Sequence, residues 1–221
     1  MAENDHYVIN GQKIFNTHVD YAEFHWLAAR TNPQAPPHRG ISMFLIDLKS
    51  PGITISPMWT MSGERTNEIF YDNVKVPKEN LLGEEDKGFY YLMEALTYER
   101  NFPTSTYRRW LEQIVAIVKE NKALAEDPLT RHRLASVATE IEVAHLYSLK
   151  IAWMIDKGML LSYEANVLKI FISELEVHLV NTMMRALGLF GQLQEGSKFA
   201  VLHGEIERAF RHSVLFLFAP G

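Results

Sequence analysis

Near Asp86 the chain changes its hydrophobic period. Before that point apolar residues come in short runs bounded by Gly, Pro and Asn; beyond it they recur at the spacing of a helix face. One layer cannot serve both patterns, because period-2 alternation faces a sheet and a period of about 3.6 faces a bundle. The switch therefore predicts an α+β chain: a small β-sandwich or barrel domain over residues 1–82, then an antiparallel four-helix bundle over residues 83–221. At the junction lies Gly88-Phe-Tyr-Tyr-Leu-Met-Glu-Ala-Leu-Thr-Tyr-Glu-Arg-Asn-Phe-Pro103. Leu92, Leu96, Glu99 and Pro103 share one helical face, which predicts an inward stripe that carries a carboxylate. Glu94 is roughly 140° around the helix from Glu99 and is expected to face elsewhere.

Residues 7–77 read as strands. Asn10-Gly11 is a tight-turn signal between two short strands. Trp26–Arg30 and Ile41–Leu48 flank a Pro-rich loop, Ser50-Pro51-Gly52 is a turn before Ile53–Met58, and Glu68–Val76 ends at Pro77. A lone β domain of about 70 residues is marginal, so it is expected to lean on a neighbour. Helices are expected near 86–121, 128–157, 162–187 and 197–217. Pro103 should kink or split the first of these. Asp127-Pro128 reads as an N-cap followed by Pro at the first helical position, and Ser162 as a weaker cap. Gly158 and Gly188 read as C-terminal stops. Leu134, Val137, Ile141, Ile151, Val167, Phe171 and Leu175 are the expected core.

Composition excludes several classes of function. The 221 residues hold no cysteine, so disulfides, thiolate metal sites and a Cys nucleophile are ruled out, and the nine scattered histidines form no paired ligand motif. No metal is expected. A net charge of −5 leaves no basic surplus for nucleic acid. No apolar run reaches membrane-spanning length, and the polar start lacks the form of a signal peptide, which predicts a cytoplasmic protein.

Several segments together resemble the acyl-CoA dehydrogenase family. Tyr7-Val-Ile-Asn-Gly-Gln-Lys-Ile-Phe-Asn-Thr17 is similar to the family's "NGxK-x-(W/F)-x-T" strand, and Phe70–Asn80 to its "F-x-(D/N)-V-x-V-P" strand end; Gly83–Gly88 resembles the loop that follows. Arg185-Ala-Leu-Gly-Leu-Phe-Gly191 sits where the family has a "Q-x-x-G-G-x-G" turn, and Arg211–Gly221 resembles the approach to its closing segment. The family's "R-x-x-F-G" segment, due near Asn121–Ala125, is not present. The resemblance begins inside the middle β domain and stops just short of the closing Thr. It therefore implies part of a longer protein that lacks the N-terminal helical domain and the extreme C-terminus.

The resemblance implies FAD as cofactor, an acyl-CoA thioester as substrate, electron-transfer flavoprotein as electron acceptor, and a homo-oligomer, dimer or tetramer. It places Phe15, Asn16 and Thr17 against the flavin, and Arg185, Gly188 and Gly191 at the adenosine half of FAD. Thr97 and Arg100 fall at substrate-binding positions. In many members the catalytic carboxylate directly precedes the closing Gly-Thr, which here falls on Pro220 or Gly221. A minority pattern, that of isovaleryl-CoA dehydrogenase, puts a glutamate before an arginine on the first long helix of the C-terminal domain. Glu99-Arg100 matches it, so Glu99 is the expected base. Each assignment has a plain alternative. Phe15 and Thr17 could be ordinary strand residues, Gly188 a helix cap, Arg100 a surface ion-pair partner, and Glu99 one half of a buried ion pair. Thr66 and Asn67 fall in the loop where the family often holds the CoA end, with plain loop polar residues as the alternative, and are not assigned to the site. His145 and His178 are expected to be hydrogen-bonded core histidines, and Tyr90, Tyr91 and Tyr98 packing. Two further functions stay open: a non-catalytic subunit or remnant that pairs with a complete partner, and an acyl-CoA oxidase.

Overall fold

The computed structural model describes residues 5–159, 161 and 163–218. Six strands come first: β1 (His6–Lys13), β2 (Phe24–Arg30), β3 (Ile41–Asp47), β4 (Ile53–Trp59), β5 (Arg65–Pro77) and β6 (Leu81–Leu82). Six helices follow: α1 (Gly88–Glu99), α2 (Ser105–Glu120), α3 (Lys122–Glu126), α4 (Pro128–Asp156), α5 (Glu164–Leu187) and α6 (Glu205–Phe216). The α+β class and the order of its parts are thus as expected. The chain divides within α1 into two compact units, one up to Ala95 and one from Leu96 onward.

In the first unit the strands form two three-stranded antiparallel sheets, ordered β1-β5-β4 and β2-β3-β6. Period-2 alternation turns Tyr7, Ile9, Ile69 and Tyr71 of one sheet and Leu27, Phe44 and Ile46 of the other into a shared core. Asn10-Gly11 does not make the expected tight turn. The strand runs straight through it, with Ile9 opposite Val74 and Gly11 opposite Tyr71, so that Asp72 and Asn73 bulge on β5 against Asn10 alone. Asn10 closes the bulge: its Oδ1 accepts from the Asn73 amide at 2.8 Å and its Nδ2 donates to Asn73 Oδ1 at 3.2 Å. Long-range pairing with β5 overrides the local turn preference.

A buried polar contact joins the two sheets. His25 Nδ1 on β2 and the Tyr71 hydroxyl on β5 share a hydrogen bond, near Lys13. Burial first, then the Lys13 charge, pushes the His25 pKa down from 6.5 to about 4. Burial also raises Tyr71 and lowers Lys13. The folded imidazole refuses a proton that the unfolded one takes up near pH 6.5. Stability is therefore complete above that pH and declines as pH falls towards 4. The expected loss is roughly 2 kcal/mol, below the full linkage value because solvent still reaches part of the ring. Urea midpoints at pH 7 and pH 4.5 should diverge less for His25→Phe than for the parent protein; equal divergence would assign the acid sensitivity to other groups.

In the second unit α2, α4, α5 and α6 share one core, built from Ile114, Val137, Ile141, Ile151, Leu168, Ile172, Leu175, Leu179 and Ile206 among others. Pro103 splits the first helical stretch as expected: residues 100–104 are non-helical and α2 begins at Ser105. Asp127 caps α4, accepting from the Thr130 amide at 2.8 Å, with Pro128 at the first helical position. Gly158 is left-handed and ends α4, and the Met159 amide bonds back to Met154 O at 3.0 Å. Ser162 lies outside the described residues.

Three expectations are corrected here. The last helix starts at Glu205, not near 197, because Leu202, His203 and Gly204 all take left-handed backbone. A Cβ on Gly204 would lie 2.4 Å from the Glu195 amide nitrogen, so glycine is needed there. On α5 the buried face runs through Leu168, Ile172 and Leu175, whereas Val167 is exposed and Phe171 half-buried. Apolar residues surround α5 so nearly completely that its sequence does not select a face. The α1 stripe is not an inward one. Leu92 and Leu96 are half-buried, Glu99 and Pro103 are exposed, and Gly88 is the one buried residue of that helix.

Candidate functional site

The first unit contributes the loop after β1. Beyond Lys13 the chain leaves the sheet with Ile14 and Phe15 turned outward. Phe15 is 67% exposed and has φ +60°, a left-handed conformation that a bulky L-residue rarely takes. His18, three residues on, is also left-handed. Asn16 between them is clamped: its amide donates to Asn67 O at 2.9 Å and its carbonyl accepts from Asn67 Nδ2 at 2.9 Å. Val19 plugs the far end of the loop into the β core. The Thr17 side chain is exposed and takes no hydrogen bond among the described residues. An exposed aromatic beside an available hydroxyl, on a backbone held from below, suits a flat heteroaromatic ring such as an isoalloxazine.

Asn67 is fully buried and lies on β5, not in a loop, and Thr66 beside it is also buried in that strand. Asn67 was expected as a loop residue outside the site. Strand parity offered a signal, since Asn67, Ile69 and Tyr71 alternate on the inner face.

The second unit contributes the end of α1 and the link that follows. Glu99 is exposed, and among the described residues its carboxylate forms no hydrogen bond or ion pair. The residues after it are tied down. The Arg100 guanidinium donates to Asn166 Oδ1 on α5. Ser148 on α4 donates to Asn101 Oδ1 at 2.7 Å, and Thr104 Oγ1 and His145 Nδ1 are 3.3 Å apart. A cleft of about 330 Å³ is lined by Arg100, Asn166, Lys169 and Ile170. Burial and the nearby Arg100 charge lower the Lys169 pKa, and its ammonium donates to Leu217 O at 2.7 Å. Thr97, two residues before Glu99, is half-buried.

Arg185, Gly188 and Gly191 lie at the C-terminal end of α5. Gly188 has φ +57° and its amide bonds to Met184 O, so it serves as the helix cap. A helix C-terminus presents carbonyls and negative dipole to an anion, so Gly188 offers no amide cradle for a phosphate. Arg185, exposed in the last turn, and the outward Leu189 and Phe190 remain available to a ligand. Gly191 is buried against Met184.

The other singled-out residues have structural partners. His178 Nδ1 contacts Glu140 at 2.9 Å but is partly exposed, not core. The Tyr91 ring covers Gly83, and its hydroxyl accepts from the Glu84 amide at 3.1 Å. Tyr90 and Tyr98 are exposed. Asn121, where "R-x-x-F-G" was due, caps α3. Pro220 and Gly221 lie outside the described residues. Among the described residues no group of His, Cys, Asp or Glu is placed to hold a metal, and no helix is long and apolar enough to cross a membrane.

Residues 86–219 match the family model for the acyl-CoA dehydrogenase C-terminal domain, and residues 1–74 match that for the middle domain. Over its whole length the chain is 30% identical to the acyl-CoA dehydrogenase FadE26 of Mycobacterium tuberculosis, of which it covers 58%. Its structure is similar to that of the Tcur3481-Tcur3483 steroid ACAD, with TM-score 0.93 and 30% identity, covering 100% of this chain and 58% of that one. It is also similar to a chain of the ChsE4-ChsE5 complex from Mycobacterium tuberculosis, with TM-score 0.89, 30% identity and the same two coverages. The chain therefore spans less than two thirds of the length of each.

Proposed function

This chain belongs to the acyl-CoA dehydrogenase family, and from that membership we propose that it supplies the middle β domain, residues 1–82, and the C-terminal helical domain, residues 83–221, of a FAD-dependent, cytoplasmic acyl-CoA dehydrogenase. One observation carries the reading: Glu99 is an exposed carboxylate with no hydrogen-bond or ion-pair partner among the described residues, followed by residues fixed to α4 and α5. In this proposal Glu99 accepts the α-proton of the acyl thioester on a carboxylate oxygen. Loss of water around that carboxylate when substrate binds makes it more basic and narrows the gap to a weakly acidic C–H. Arg100, held by Asn166, and Thr97 orient the thioester. Phe15, Asn16 and Thr17 would hold the flavin ring, and Arg185, Gly188 and Gly191 the adenosine half of FAD. When bound, FAD supplies the acceptor for the hydride from the β-carbon. Electron-transfer flavoprotein is the proposed oxidant. Exposed apolar residues along α4, namely Val143, Leu146, Leu149 and Trp153, support self-association into a dimer or tetramer.

A second reading makes the chain a non-catalytic subunit of a two-protein assembly. The pairs of proteins named for the similar Tcur3481-Tcur3483 and ChsE4-ChsE5 structures favour it. Flavin separates the two readings. The purified protein is expected to bind FAD and to lose the flavin's visible absorbance when acyl-CoA is added without oxygen. Bound flavin that no acyl-CoA reduces would select the second reading.

A further inference from the structure

Resting on the assignment of Phe15, Asn16 and Thr17 to the flavin, we propose that Asn67 is a positioning residue that holds their loop in its ring-presenting conformation. Two non-glycine residues in that loop, Phe15 and His18, have left-handed backbone. Such conformations persist only where the surroundings over-determine them. Here the link from the loop to β5 centres on one residue, Asn67, beside the Val19 side chain packed in the β core. Asn67 Nδ2 donates to Asn16 O at 2.9 Å and to Asp20 Oδ1 at 3.3 Å, while its Oδ1 accepts from Arg65 Nε at 2.9 Å. Its backbone carbonyl also accepts from the Asn16 amide at 2.9 Å.

Every donor and acceptor of the side chain is therefore used, and each neighbour fixes which end of the amide faces it. A carbonyl and a carboxylate require the NH2 end, and a guanidinium requires the oxygen. Arg65 and Asp20 close the ring with an ion pair at 3.4 Å. The arrangement spans both ends of the strained stretch, since Asn16 follows Phe15 and Asp20 lies two residues beyond His18. A fully buried strand residue thus sets the backbone of an exposed loop that carries a candidate cofactor contact.

Asn67→Asp tests this with almost no change in size. It replaces the donating NH2 by an oxygen that faces the Asn16 carbonyl and the Asp20 carboxylate. Amide hydrogen exchange at Asn16 is expected to accelerate about 100-fold, while Ile69 and Val74 in the same strand keep their protection. Affinity for FAD is expected to fall about 10-fold or more, with a changed visible spectrum of whatever flavin still binds. Unaltered exchange at Asn16 overturns the proposal. Faster exchange with undiminished FAD affinity and an unchanged flavin spectrum overturns it too, because the flavin would then not depend on this loop. If the parent protein binds no FAD yet Asn16 is freed by the substitution, the flavin assignment fails and the hold on the loop stands. Should Asn67→Asp not fold, Asn67→Ser removes the same donors without adding charge and is measured in the same way.

Discussion

Glu99→Gln is expected to slow acyl-CoA-dependent flavin reduction by roughly 10²–10⁴-fold, the usual contribution of a positioned general base. Gln keeps the shape of Glu and loses only its capacity to take a proton. FAD content and acyl-CoA affinity should therefore stay close to those of the parent protein, and the defect should appear in the reduction step itself. Stopped-flow reduction under anaerobic conditions measures that step alone. The structure sharpens the test, because the carboxylate makes no hydrogen bond or ion pair among the described residues. A fold defect is thus not expected from this substitution, and a slow variant can be read as a chemical effect. Asn166→Ala supplies the contrast. It removes the Asn166 acceptor from the Arg100 guanidinium without touching the carboxylate, and should raise KM for the thioester more than it lowers kcat. Undiminished reduction in Glu99→Gln would remove Glu99 from the chemistry.

The second large effect is on stability and comes from a different glutamate. Glu176 on α5 is only 5% exposed, amid the core of the helical unit. Its Oε2 accepts from the Tyr107 hydroxyl on α2 at 2.8 Å, and its Oε1 lies 3.4 Å from His212 Nδ1 on α6. One carboxylate therefore joins α2, α5 and α6. Burial, and then the Glu176 charge, drives the Tyr107 pKa upward, so the phenol remains a donor at any ordinary pH. Glu176→Ala leaves the buried Tyr107 hydroxyl without its acceptor and opens a cavity, and should cost about 3–5 kcal/mol. Glu176→Gln retains an acceptor for Tyr107 and should cost far less. Combining Glu176→Ala with Tyr107→Phe should recover part of the loss, since the hydroxyl that lost its acceptor is then gone. Urea denaturation followed by circular dichroism measures all three. A cost for Glu176→Ala under about 1 kcal/mol would show that the network has no structural weight.

What the sequence made legible was mostly short-range. Asp127-Pro128 and Pro103 act through the peptide geometry of their own neighbours, so the cap and the break appear where the sequence places them. The change of period at Asp86 separated sheet from helix for a similar reason. Asn10-Gly11 went the other way. Its local preference for a turn yields to ladder pairing with β5, whose distance in sequence hides the competitor. On α5, Val167 was expected in the core and Leu168 occupies it, because apolar residues on nearly all sides leave the rotation of the helix to its packing partners. Glu99 and Arg100 were named from a motif and a stripe. The motif placed them at the end of α1, while the stripe wrongly implied burial. Asn67 was missed because its importance lies in bonds to residues about fifty positions away, which no local pattern records.

The bulge between β1 and β5 also carries a chemical clock. An asparagine followed by glycine is prone to deamidation, because the bare glycine amide can swing in and attack the side-chain carbonyl to form a succinimide. In the folded chain Asn10 is pinned at both ends of its amide by Asn73, and its strand is held extended. The attack needs a torsion that this pairing forbids. Cyclisation is therefore confined to moments when β1 has left β5. Each completed cyclisation and hydrolysis leaves a permanent mark one mass unit heavier, an aspartate or isoaspartate that can no longer donate to Asn73. The β unit thereby ages in proportion to the time it has spent unfolded.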